Sequence, residues 1–189
     1  MPTQYLLNSE TQEYLNSFHC ILNEMIQRMT SAELTDSISH NFIVQMIPHH
    51  MAAIEMSRNI LKYTEDATLR SIASNIVSSQ TKSITNLQKV LPACSILCNT
   101  REDLCCYQCR TNRIMQIMFA NMKEAKATNR TSCDFMWEMI PHHAGAVEMS
   151  RNALQYHICP GLKPILHSII TSQQEGIMQM QQLLCHIGC

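Results

Sequence analysis

Charge is the first thing this chain is short of. Asp, Glu, Lys and Arg make up 15% of its 189 residues, with 14 basic and 15 acidic side chains and a net charge of -1. An average globular chain carries roughly 25%. No basic run stands out, which argues against a nucleic-acid partner, because phosphate contacts need clustered Lys and Arg. Aromatic residues are equally thin at 5%, too few for base-stacking platforms. Gly (4) and Pro (6) are sparse, and apolar–polar alternation is absent, so strands and disordered stretches are not expected. No run approaches the ~18 apolar residues of a membrane span. The opening MPTQYLLNSETQEYL lacks a basic stretch followed by an apolar one, so it does not read as an export signal. The expectation is a soluble, cytoplasmic, helical protein. Its cysteines keep an exported or surface-associated form open.

What the chain has in surplus is sulfur, with 14 methionines and 10 cysteines. It also repeats itself. MIPHHMAAIEMSRN begins at Met46, and MIPHHAGAVEMSRN begins at Met139. An offset of 93 residues aligns them without a gap, and Phe42–Tyr63 matches Phe135–Tyr156 at 14 of 22 positions. The same offset places Ser79-Gln80 on Ser172-Gln173, Ile84 on Ile177, and Met25 and Met29 on Met118 and Met122. A repeat this long is a supersecondary unit, not a short solenoid module.

Each unit reads as three helices. Tyr14, Phe18, Ile21, Leu22, Met25, Ile26 and Met29 recur at three- and four-residue steps, predicting a helix over about 11–29. Its copy over about 104–126 carries Ile114, Met115, Met118 and Met122. The second helix bears the His-His motif, after an N-cap at Thr35 or Asp36, and at Ser132 or Asp134 in the copy. The third covers about 65–91, ended by Pro92, and about 162–186, after the breaker Cys159-Pro160-Gly161. The expected fold is all-α: six helices in one bundle-like domain with pseudo-twofold symmetry. Residues 1–91 and 104–189 would be tandem three-helix repeats joined by a cysteine-rich linker, 92–103.

On a helix, Met46, His49/His50, Ala53 and Met56/Ser57 share one face. Adjacent histidines point about 100° apart, so one is expected inside and the other at the edge of the stripe. Pro48 has no N–H for the Val44 carbonyl and should kink the helix or start a new segment at the histidines; Pro141 should do the same at Trp137. Imidazole suits copper and zinc, and thioether sulfur selects Cu(I). Met46, His49, His50 and Met56 are therefore candidate metal ligands, as are Met139, His142, His143 and Met149. Met25 and Met29, and Met118 and Met122, would face them from the preceding helix. Methionine at helical spacing is ordinarily core filler. Its company with two histidines, in both halves, argues for more.

Competing chemistries lack their residues. A di-iron carboxylate bundle needs Glu-x-x-His on two helices, and neither site has one. Glu138 lies four before His142, but its repeat partner is Gln45. Glu55 and Glu148 lie off the histidine face and read as surface partners of residues such as Arg58. No His-Glu-x-x-His, glycine-rich phosphate loop or nucleophile–base–orienter set appears, so no enzyme is expected.

FIVQMIPHHMAAIEM and FMWEMIPHHAGAVEM, each followed by a helix bearing Ser-Gln and then Ile, resemble the domain-of-unknown-function 305 family. The resemblance covers nearly the whole chain. It implies a ferritin-like helical bundle and, for some members, copper binding and tolerance through His and Met, with many members exported. By position, Gln80 and Gln173 correspond to that family's third-helix glutamine. Its later glutamate is Ser83 and Gly176 here, and its late methionine is kept as Met180 but replaced by Leu87. The two halves need not bind equally.

The cysteines admit two readings. Cys94, Cys98, Cys105, Cys106 and Cys109 crowd the region between the repeats, and Cys185 and Cys189 close the chain. Thiols spaced i, i+4 on a helix can chelate one Cu(I) or zinc ion. The rival is a set of disulfides. Cys20, Cys133 and Cys159 have no repeat partner and are expected to be buried or disulfide-bonded. The function expected is soft-metal binding, copper as Cu(I) first, for buffering, storage or tolerance. The alternative is a cysteine-cross-linked structural protein of a cell-surface or spore layer. The expected partner is a metal ion, and a homo-oligomer stays open.

Overall fold

The computed structural model describes residues 6–189; residues 1–5, part of the stretch read for an export signal, lie outside it. Six helices follow: α1 (Ser9–Thr30), α2 (Ile38–Ile60), α3 (Ala67–Cys94), α4 (Arg101–Lys123), α5 (Thr131–Ala153) and α6 (Lys163–Ile187). There is no strand among the described residues. The starts of α1, α3 and α4 follow from capping. Asn8, Asp66 and Thr100 each accept a bond from the backbone N–H three residues on, satisfying one orphan donor of the first turn.

Several expected boundaries move. The cap of α2 is Ser37, not Thr35 or Asp36, because Thr35 is bound through its backbone to the Asn41 side chain. Neither Ser132 nor Asp134 caps α5. The boundary residue is Arg130, which gives no side-chain cap, while Asp134 reaches back to the Thr128 N–H and hydroxyl. Pro92 does not end α3, which runs on to Cys94. A proline φ is helical, and only one bond is lost near a terminus that would fray anyway. Pro48 and Pro141 likewise lie within continuous helices, so no new segment begins at the histidines.

α2 and α5 lie side by side at the centre. α3 packs on α2, α6 packs on α5, and α3 and α6 also meet, which makes a four-helix bundle. α1 and α4 cover the outer sides of α2 and α5. One apolar core runs through both halves, from Tyr14 and Phe18 on α1 to Met180 and Leu183 on α6. The symmetry extends to detail. Asn59 donates to the Tyr14 carbonyl at 3.0 Å, and Asn152 donates to the Tyr107 carbonyl at 3.1 Å. Tyr14 meets Tyr63 edge-on at 5.8 Å, and Tyr107 meets Tyr156 in the same way at 5.8 Å.

Candidate functional site

The Pro-His-His motifs meet where α2 faces α5. His49 Nε2 donates to the His142 carbonyl at 3.1 Å, and His142 Nε2 returns the bond to the His49 carbonyl at 3.1 Å. The two rings stack with centroids 3.7 Å apart and 27° between planes. A carbonyl can only accept, so the nitrogen facing it must carry the hydrogen. That fixes the Nε2–H tautomer in both rings and leaves each Nδ1 with a bare lone pair. Both Nδ1 atoms are buried and have no hydrogen-bond partner.

Each second histidine points to the third helix of its own half. His50 Nε2 lies 2.9 Å from the Ser83 hydroxyl. His143 sits against Gly176, where an added Cβ would come within 2.9 Å of the ring. The four rings form a chain, His50–His49–His142–His143, with successive centroid distances of 5.8, 3.7 and 5.9 Å. All four Nδ1 atoms lack partners. Both motif glutamines end nearby in sequence order on α3 and α6: Gln80 and Gln173 are buried with unpartnered Oε1 atoms.

Burial determines the protonation of these rings. Desolvation lowers all four, bringing His142 to about 4 and His50 to about 3. His49 and His143 are lowered well below the ordinary value by burial first and by the neighbouring rings second. The site therefore holds neutral imidazoles near pH 7, the form that donates a lone pair to a metal. The expectation that one histidine of each pair sits at an edge is corrected here. All four are inside, because α3 and α6 close over the side that α2 and α5 leave open.

The eight candidate methionines are all buried: Met46, Met56, Met139 and Met149, and Met25, Met29, Met118 and Met122. Those of α1 and α4 do not all turn to the histidines. Met118 lies on Gly145 and beside Pro141, on the side of α5 turned to α4, whereas His142 points the other way, to α2. Met25 occupies the corresponding place beside Pro48 and Ala52.

The cysteines separate into two groups. Cys94 pairs with Cys159 and Cys133 with Cys189, with Cα–Cα distances of 5.2 and 5.9 Å. Cys94 and Cys189 are thereby removed as candidate metal ligands. Cys133 and Cys159 behave as expected, but Cys20 is exposed and free, as are Cys98, Cys105, Cys106, Cys109 and Cys185. Among the described residues, no three His, Cys, Asp or Glu side chains are gathered around one point.

One buried polar pair escaped sequence reasoning. The Tyr14 hydroxyl donates to Glu138 Oε2 at 2.5 Å, joining α1 to α5 across the halves. Burial raises Glu138 well above the usual carboxyl range, partly offset by the Tyr14 bond. The signal was the mismatch at this repeat position, Gln45 against Glu138, but the sequence could not say which residue the carboxyl meets.

Comparison with curated proteins gives no match. Solved structures do match the fold. A protein called CopM, in an Ag-bound form obtained by soaking, superposes with a TM-score of 0.60 at 24% identity, covering 80% of this chain and 98% of that one. CopM in the apo form gives 0.59 at 26%, covering 78% and 96%. A fragment from Deinococcus radiodurans gives 0.59 at 22%, covering 79% and 96%. The family described as Domain of unknown function (DUF305) matches residues 8–91 and again 106–184. The chain belongs to that family and carries its domain twice.

Proposed function

We propose that this protein binds a soft cation, Cu(I) first, in the bundle core and holds it without turnover, for buffering, storage or tolerance. One observation carries the reading: four buried imidazoles, neutral near pH 7, whose Nδ1 atoms have no protein partner. An unpaired polar atom in a core costs about 1–3 kcal/mol. Here four such atoms belong to successive rings of one chain of imidazoles. Ligands would come from His49, His50, His142 and His143, with Met46, Met56, Met139 and Met149 as thioether donors. The Ag-bound form of a 24%-identical neighbour supports a soft ion, since Ag(I) and Cu(I) favour the same donors. Because the rings are at most 2% exposed, loading requires packed side chains to move apart. Titration with Cu(I) against a chromophoric competitor tests the reading. His49→Ala/His142→Ala and Met46→Leu/Met139→Leu variants should bind more weakly. Binding as tight as the parent's in both would refute the core site.

A second reading, a cross-linked structural protein with no metal role, is favoured by the two disulfides. Such bonds persist in oxidising compartments, so we propose an exported location over a cytoplasmic one. Elemental analysis of protein purified natively separates the readings: about one or more copper per chain supports binding, and no metal supports the structural role.

A further inference from the structure

We infer that α4 carries a second, surface soft-metal site, formed by the thiol of Cys109 with that of Cys105 or Cys106 and independent of the buried histidines. Three observations converge on it. First, the three cysteines lie within five consecutive residues of one helix, spaced i, i+1 and i+4, so Cys109 is a neighbour of both others. Helical neighbours at i, i+3 and i, i+4 have Cβ atoms about 5–6 Å apart, within bridging reach of one two-coordinate ion. Second, all three are exposed and free of disulfides. An unpaired cysteine is ordinarily among the most buried residues, so an exposed group of three has no packing role. Third, they line a groove of about 750 Å³ with Arg110, Arg113 and Tyr156.

The groove supplies what a thiolate complex needs. A monovalent cation held by two thiolates bears net negative charge, and two guanidiniums stand beside it. Arg110 is held against the groove wall by donating to Gln155 Oε1 at 2.9 Å. The first half has nothing comparable. At the offset of 93, the three cysteines fall on Gln12, Glu13 and Asn16. The site is thus an addition to the repeat, not part of it. The three thiols are not gathered around one point; a two-coordinate ion needs only Cys109 and one of the other two, which the i, i+3 and i, i+4 spacing puts on neighbouring positions.

The step balances simply. Each S–H bond breaks heterolytically, its proton goes to solvent, and the sulfur lone pair bonds Cu(I) or Ag(I) with no electron transfer. Binding by two thiols therefore releases about two protons per ion. Thioethers and neutral imidazoles release none, which distinguishes this site from the buried one.

Ag(I), which needs no reductant and leaves the disulfides intact, is the probe. The folded protein is titrated near pH 7 with substoichiometric Ag(I), and both released protons and the sulfur-to-metal absorption band are followed. The parent, the His49→Ala/His142→Ala variant and a Cys20→Ser/Cys98→Ser/Cys185→Ser variant should each release about two protons per ion in the tightest phase. The Cys105→Ser/Cys106→Ser/Cys109→Ser variant should lose both signals in that phase. These substitutions are at exposed positions, so its thermal melt should match the parent's. If this variant keeps the parent's proton release and affinity, the α4 site is refuted. Failure of the buried site would appear separately, as proton-free binding unchanged in the His49→Ala/His142→Ala variant.

Discussion

The two halves of this molecule share a plan and differ in chemistry at the same positions. Where the repeats are identical, the geometry is too: the reciprocal His49–His142 bonds are both 3.1 Å. Where a residue differs, its contacts take another form. Ser83 offers a hydroxyl to His50, but Gly176 offers only space to His143. The groove between the first two helices is about 10 Å³ where Met51 and Arg28 border it, and about 220 Å³ where Ala144 and Asn121 replace them. His40 binds Ser95 at 2.9 Å in the first half; the corresponding Cys133 is covalently joined to Cys189. A duplicated frame thus tolerates divergence wherever the difference is absorbed locally.

The sharpest contrast is that last one. The Cys133–Cys189 bond closes a separation of 56 residues, for which the chain-entropy model gives about 4 kcal/mol. Cys133→Ser/Cys189→Ser should lower stability by about that amount in denaturant unfolding. His40→Ala, which removes the counterpart hydrogen bond, should cost about 1 kcal/mol. Equal costs would mean the disulfide contributes no more than the hydrogen bond at the matching position.

Acid should come next. The folded value of His142 is about 4 against an ordinary 6.5. As pH falls below 6.5 the unfolded chain takes up protons first, so the contribution of this ring is complete above about 6.5 and is lost toward about 4. His142 alone accounts for about 3 kcal/mol of that loss. Glu138 acts in the opposite sense. Its folded value is raised, so its contribution is full at low pH and lost as pH rises. Glu138→Gln gives the second half the amide of Gln45 and should remove this loss, which sets in as pH rises past the ordinary carboxyl value of 4.5, so the variant's stability–pH profile should fall less toward high pH than the parent's.

Smaller effects test the grooves and the outer rings. A Cβ at Gly145 would overlap the Met118 thioether, so Gly145→Ala should cost about 2 kcal/mol by overpacking. In the first half that position is already Ala52, and Ala52→Gly should cost about 1 kcal/mol from helix propensity alone. Thermal melts compare the two. Finally, Ser83→Ala should cost about 1 kcal/mol by unpairing His50. It should also bring the two outer histidines closer in behaviour when their ring protons are followed by NMR.

Much of this was legible beforehand. The all-α fold and the six helices follow from hydrophobic spacing and from the offset of 93, but the burial of both histidines of each pair does not, because it depends on α3 and α6 closing over them. Pro92 misled, because proline marks a break in the average helix but is harmless in a last turn. The Tyr14–Glu138 bond was invisible because its partners are 124 residues apart.

The sequence by itself determined the repeat, the periodicity and the donor types, since each is a property of residue order and side-chain chemistry. Only the tertiary structure decided that His49 meets His142, which nitrogen of each ring is left bare, and which cysteines are joined. Those outcomes depend on how two helices distant in the chain lie against one another, and local residue order carries no record of that.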